Sequence, residues 1–329
     1  MPHRIAGFVA RGALFAAALL VSFAAVSGAQ ALDYPNRPAR IVVGYPPGGS
    51  TDILARIFAQ YLGEKLGQQF VVENRPGAGN NIGTETVVKA APDGYTFLLA
   101  NPANTINASL YKKLNFNFLQ DTQPVAGFIK VTNVMEVYPG VPAKTVAEFI
   151  AYAKANPGKV NMASSGNGTS VHLSGELFMM MTGVKMVHVP YKGAGPALID
   201  LMGGQVQVFF DNLPSSIAHI KAGKLRALAV TAAVRSDELP DVPTVGDTVK
   251  GYEATAFFGI SAPKGTPKEI VDLVNKTVND GLKDPKVLAK LKDLGGIPAP
   301  GSPEDFRRLL ASETAKWEKV VHAANLSIE

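Results

Sequence analysis

The sequence predicts an α/β protein of two lobes facing each other across a cleft, each lobe a doubly wound sheet with helices on both faces. Two observations carry this. Short β-branched runs alternate with helical stripes at the spacing of βαβ units. The pattern then occurs twice, and each time the first strand runs into a Gly/Ser/Thr-rich loop that opens a helix.

In the first half, Ile41, Val42 and Val43 suit a strand buried on both faces. Pro46, Pro47, Gly48 and Gly49 can continue neither strand nor helix, so the chain turns there. Ser50, Thr51 or Asp52 is then expected to cap a helix over 51–66, with Ile53, Leu54, Ile57, Phe58, Tyr61 and Leu62 on its apolar stripe. A strand over 70–72, a loop over 75–81, a helix over 82–90 and a strand over 96–99 follow. Residues 101–122 read as polar and irregular, anchored by Leu110 and Tyr111. Two extended segments are expected at 125–129 and 134–138, then a helix over 144–155.

The second half repeats the order. A strand over 160–163 meets the loop 164–169 and a helix over 170–181. Strands over 186–189, 206–210 and 226–230 alternate with helices over 196–202 and 215–222. A strand over 257–262 and helices over 267–282, 285–294 and 303–324 form a tail, expected to cross back and complete the first lobe. The expected organisation is a leader at 1–31, lobe 1 at 32–132 plus 254–329, and lobe 2 at 133–253. The sole tryptophan, Trp317, falls on the last helix and is expected to report poorly on a cleft between the lobes.

Arg4 and Arg11 precede an apolar stretch over 12–26, and Ala29-Gln30-Ala31 fits a small-x-small cleavage pattern. The stretch is shorter than the roughly 20 apolar residues of a membrane span. A cleavable signal peptide ending at Ala31 is therefore expected, with the periplasm as destination. The absence of cysteine excludes disulfides, thiolate catalysis and zinc–cysteine sites. The net charge of +5 is spread among interspersed charges with no basic block, so nucleic-acid binding has no support.

Both Gly-rich loops place exposed backbone N–H groups at the positive end of a helix, a setting for an anion. An ordinary βα turn reads the same way in isolation; the repetition is what points to function. No G-x-x-x-x-G-K-[ST] loop and no G-x-S-x-G elbow occur, and Gly77-Ala78-Gly79-Asn80-Asn81-Ile82-Gly83 has one residue too many for G-x-G-x-x-G. His172 and Glu176 stand four apart on a predicted helix, but no third metal ligand accompanies them, so His172 reads as a cap or a donor to an anion. Asp52 reads as a first-turn helix residue or a ligand contact. Asp211-Asn212 reads as a strand end at the cleft or a plain turn pair. Met179, Met180 and Met181 read as core. Neither loop contains Arg or Lys, which suits a carboxylate better than a phosphate. No metal, cofactor or catalytic residue is expected.

The motifs Tyr45-Pro46-Pro47-Gly48-Gly49-Ser50-Thr51-Asp52 and Val72-Glu73-Asn74-Arg75-Pro76-Gly77-Ala78-Gly79 resemble those of the TctC/Bug (Bordetella uptake gene) family. So do Asp93-Gly94-Tyr95-Thr96, Ser165-Gly166-Asn167-Gly168-Thr169-Ser170, His188-Val189-Pro190-Tyr191-Lys192-Gly193 and Asp237-Glu238-Leu239-Pro240. The family comprises periplasmic receptors of tripartite tricarboxylate transporters, and the resemblance runs over nearly the whole chain after the leader. It implies a two-lobed, type II-like clamshell with crossing strands between the lobes and a small organic carboxylate pinched between the loops, held through main-chain N–H groups, hydroxyls and waters. Carried over, the ligand-binding residues are Tyr45, Gly48, Gly49, Ser50 and Asp52 from the first loop. Ser164, Ser165, Gly166, Thr169 and His172 come from the second, with Asn80, Tyr191 and Asp211 as additions. The implied partners are membrane permease subunits, with a monomeric receptor; docking on a sensor kinase is the alternative, and an α/β enzyme acting through Asp52 or His172 a more distant one. The sequence departs from the family's pattern at Asn80, where a glycine is usual, and over 100–105; both are expected beside a ligand's distal end, where an amide at position 80 would select a polar group.

Overall fold

The structure is a computed structural model that describes residues 33–323 and 326–329. The expected leader at 1–31 lies outside them. Residues Pro35–Glu329 form one compact unit, and among the described residues no helix is long and apolar enough to cross a membrane.

The first half contains β1 (Ala39–Val43), α1 (Ser50–Leu66), β2 (Phe70–Asn74), α2 (Asn81–Val88) and β3 (Thr96–Ala100). β1 pairs in parallel with both β2 and β3, as βαβ units require. Two helices follow where an irregular segment is expected: α3 (Pro102–Leu110) and the single turn α4 (Phe118–Asp121). The segment is poor in strong helix formers, so propensity hides it. α3 instead begins with a capping box, in which Asn101 accepts from the Ala103 N–H and Asn104 accepts from the Asn101 N–H. Its Ile106 and Leu110 are buried with Trp317 and Val321.

The two extended segments expected at 125–129 and 134–138 are one 16-residue strand, β4 (Thr122–Val137). The polar stretch between them masks the continuity, yet of the residues 130–133 only Lys130 is exposed. The second half holds α5 (Val146–Ala155), β5 (Asn161–Ser164), α6 (Ser170–Thr182), β6 (Val187–Pro190), α7 (Ala194–Met202), β7 (Val208–Asn212), α8 (Leu213–Lys221), β8 (Arg226–Val230) and the single turn α9 (Val245–Thr248). The chain then returns through β9 (Thr255–Pro263), α10 (Lys268–Gly281), α11 (Pro285–Asp293), the short β10 (Gly296–Pro298) and α12 (Pro303–Ala323).

The strands run in the order β2-β1-β3-β9-β4-β7-β5-β6, with β8 and β10 also on β4. β4 changes partners midway. Thr122–Thr132 pairs with β9, and Asn133–Val137 pairs with β7 and, through Val134–Val137, with β8. One continuous strand therefore joins two parallel sets, β2-β1-β3 and β7-β5-β6, and β9 brings the tail back beside β3. The mixed sheet, its two parallel sets and the crossing strands are those of the two-lobed clamshell.

Strand residues alternate between faces, and β7 shows both faces covered: Val208 and Phe210 enter one apolar cluster, Phe209 another. Trp317 shares its cluster with Leu173 of α6, which follows the second loop.

Candidate ligand-binding cleft

Five helix N-termini meet at one small chamber. It is lined by Gly49, Ser50 and Thr51 at the start of α1, Asn101 and Pro102 at α3, Thr169, Ser170 and Val171 at α6, Ala194 at α7 and Asn212 at α8. Tyr45, Ser165 and Phe258 complete the wall. The chamber holds about 30 Å³, room for one or two waters. An outer chamber of about 200 Å³ shares Tyr45 and Ser165 with it and adds Asn80, Gly166, Tyr111, Tyr191 and Lys192 among others. No charged side chain lines the inner chamber.

The first loop leaves the N-terminus of α1 without a side-chain cap. A side-chain cap is expected at α1, but the cap residue is Gly49, which makes no side-chain hydrogen bond. The Ser50 hydroxyl is engaged elsewhere: it accepts from the Ser215 N–H at 3.1 Å and lies 3.0 Å from Ser215 Oγ. α7 begins likewise at Gly193 without a side-chain cap. At α6 the Thr169 hydroxyl caps the His172 N–H at 3.2 Å. Uncapped N–H groups and aligned helix dipoles make the inner chamber electropositive without a cation.

The structure brings Tyr45, Gly49, Ser50, Asn80, Ser165, Gly166, Thr169 and Tyr191 to the two chambers. It places Asp52, Ser164, His172 and Asp211 buried behind them, and Gly48 exposed outside both. The Asp52 carboxylate accepts from Arg56 at 2.8 Å, Asn74 at 3.0 Å and the Gly48 N–H at 3.2 Å. Burial would raise its pKa, but these hydrogen bonds outweigh burial and hold it below the usual range. Asp52 therefore braces the first loop as an ionised carboxylate. Ser164 does the same for the second loop: its Oγ accepts from the Gly166 N–H at 3.1 Å and lies 2.6 Å from His188 Nε2. His172 stacks on His188 with ring centroids 4.0 Å apart and contacts Glu176 at 3.3 Å. Tyr191 hydrogen-bonds Asp200 at 2.7 Å, and burial together with that acceptor pushes its phenol up to about 12.

Asp211 lies under the chamber floor beside Glu136, both fully buried. The Ser216 hydroxyl, with one proton to donate, lies 2.7 Å from Glu136 Oε1 and 2.9 Å from Asp211 Oδ2, and Ser215 donates to Asp211. Burial raises both carboxyls, and each one's charge opposes ionisation of the other. Among the described residues no group of three or more His, Cys, Asp or Glu is placed to hold a metal.

Sequence reasoning passes over Ala194 and Phe258, and reaches Asn101 only within the segment 100–105, expected beside a ligand's distal end. The Asn101-Pro102 pair is a readable cap followed by a first-turn proline, whereas Ala194 and Phe258 arrive only by folding. Close approach between the two halves depends on glycine. A Cβ on Gly79, at φ 58°, would lie 2.3 Å from the Asn167 carbonyl oxygen. One on Gly195 would lie 2.9 Å from that of Pro47.

Burial, reinforced by His172, pulls His188 down to about 4. The unfolded chain therefore binds this proton more readily. The resulting stability is present above about pH 6.5 and is lost as pH falls toward 4. With a discount for partial exposure, roughly 2 kcal/mol should disappear across that window. In His188→Gln that part of the acid dependence of thermal unfolding should vanish; an unchanged profile would mean that another group carries it.

A clamshell fold with helix N-termini turned on its cleft defines a two-lobed solute-binding protein. The sequence matches the family described as the tripartite tricarboxylate transporter family receptor, TctC, over residues 54–326, and the chain belongs to that family. It is 38% identical over 301 residues to protein BugT of Bordetella pertussis, covering 90% of this chain and 92% of BugT. Among solved structures it resembles R. palustris Rpa4515 with adipate, with a TM-score of 0.88 and 40% identity over 90% of this chain and 99% of that one. It also resembles MatC from Rhodopseudomonas palustris with bound malate, with a TM-score of 0.84 and 31% identity over 88% of this chain and 100% of that one.

Proposed function

We propose that this chain is a periplasmic receptor that captures a small organic carboxylate by cleft closure and presents it, as a monomer, to the permease subunits of a tripartite tricarboxylate transporter. Export follows cleavage after Ala31. The lobes are residues 32–132 with 254–329, and residues 133–253. The observation that carries the reading is the convergence of five helix N-termini on a chamber without a charged side chain. Such a site rewards an anion through fixed dipoles and N–H donors. One ligand touching both lobes favours the closed state by the difference in its affinity for the two states. The carboxylates held by Rpa4515 and MatC support the ligand class. The ligand is bound and released unchanged.

Thermal unfolding of the ligand-free protein against mono-, di- and tricarboxylates tests this. A ligand at 100 times its dissociation constant should stabilise the fold by about 2.7 kcal/mol. That raises the midpoint by several degrees in a chain of this size. The shift should be accompanied by a change in Trp317 emission, because that ring packs in the cluster of Leu173. A folded protein that no carboxylate shifts would sink the proposal.

A further inference from the structure

α8 opens without a cap of its own. Its N-cap residue is Asn212, whose side chain makes no capping hydrogen bond and donates instead to Asn133 Oδ1 at 2.6 Å. Pro214 in the first turn has no N–H. The amide left for a cap to take is that of Ser215, the third residue of the helix. That amide is taken from outside the helix. The Ser215 N–H donates to Ser50 Oγ at 3.1 Å, a partner 165 positions away in the chain. Ser50 Oγ also lies 3.0 Å from Ser215 Oγ and 3.3 Å from the Asn212 carbonyl oxygen.

The two ends of this contact belong to different halves of the molecule. Ser50 is the first residue of α1, which follows β1 in the set β2-β1-β3. Ser215 stands on α8, which follows β7 in the set β7-β5-β6. Both serines are buried. Ser215 is anchored within its own half, where its hydroxyl donates to Asp211. The contact sits at the wall of the inner chamber, which Ser50 and Asn212 line. Parting the halves would break it and return the Ser215 N–H to water.

Resting on the two-lobed receptor reading, we propose that Ser50 is a closure latch: its hydroxyl caps α8 across the cleft and holds a fraction of the ligand-free protein closed. Without that hydroxyl the closed state buries an N–H with no acceptor, whereas the open state hydrates it and is unaffected. The latch therefore acts on the balance between the two states. A ligand that needs the closed state binds in proportion to the fraction already closed.

Distance measurement by pulsed electron paramagnetic resonance tests this. The chain has no cysteine, so spin labels can be placed at Glu64→Cys on α1 and Lys154→Cys on α5, both exposed. Without ligand, the wild-type background should show an open component and a closed one at the separation of this structure. Ser50→Ala should lower the closed-to-open ratio about fivefold, the typical effect of a lost side-chain cap. Alanine is the best helix former, so α1 and the fold should persist. Affinity for the carboxylate found by the thermal screen should fall by the same factor. A ligand-free wild type with no closed component overturns the latch, as does a ratio that Ser50→Ala leaves unchanged. Weaker binding at an unchanged ratio would show that Ser50 serves the ligand directly. If no carboxylate binds but the distances shift as expected, the latch stands and the ligand reading falls.

Discussion

Replacing Gly195 by valine is expected to weaken ligand binding roughly 30- to 100-fold while leaving the ligand-free protein as stable as before. Gly195 is the second residue of α7, where a branched residue costs the helix little. Its only neighbour within reach of a new Cβ is the Pro47 carbonyl oxygen, 2.9 Å away in the first loop. That neighbour is backbone, so it cannot turn aside. Valine adds two further methyl groups at the same point, and overpacking of this kind costs about 1–3 kcal/mol. The cost falls on the closed state, because opening the cleft removes the clash. Titration of the ligand found by the thermal screen gives the affinity, and unfolding without ligand gives the stability. Loss of both together would mean that the contact holds the fold and not the closure.

The second large effect concerns the buried acids beneath the cleft. Glu136 and Asp211 share Ser216 and retain one unpartnered carboxylate oxygen each. Burial pushes Asp211 up to about 6 and raises Glu136 as well, each opposing ionisation of the other. The folded pair therefore holds its proton more tightly than the unfolded chain does. Its contribution is fully present below about pH 4 and is lost as pH rises through about 6. At pH 8 the raised Asp211 alone should cost the fold roughly 2–3 kcal/mol. Glu136→Gln removes the second charge, keeps an oxygen for Ser216 and supplies an N–H where an unpartnered oxygen stood. Stability at pH 8 should rise, because the penalty of the raised Glu136 is removed, with little change near pH 4. A variant less stable than wild type at both pH values would show that the glutamate is needed as a carboxyl. This trend and that of His188 run in opposite directions, so Glu136→Gln should move the pH of maximum stability upward.

Sequence alone determined what depends on short range. The strand–loop–helix units around the two Gly-rich loops are read from β-branched runs, helical stripes and chain-breaking residues, and β1, α1, β5 and α6 fall within two residues of their expected bounds. The repetition of the unit also carries the two-lobed class. α3 escaped because its stability comes from a cap and from packing on α12, in a segment of weak propensity. The unity of β4 escaped because its polar middle is satisfied by partners distant in the chain.

Only the tertiary structure decided how the loop residues divide the work. Tyr45, Ser50, Ser165 and Thr169 face the chambers, while Asp52, Ser164, His172 and Asp211 stand behind them and hold the loops in shape. Sequence supplies a polar side chain at each of these positions without saying which partner claims it. The claim is settled by geometry: a carboxylate already bonded to Arg56, Asn74 and the Gly48 N–H has little left for a ligand.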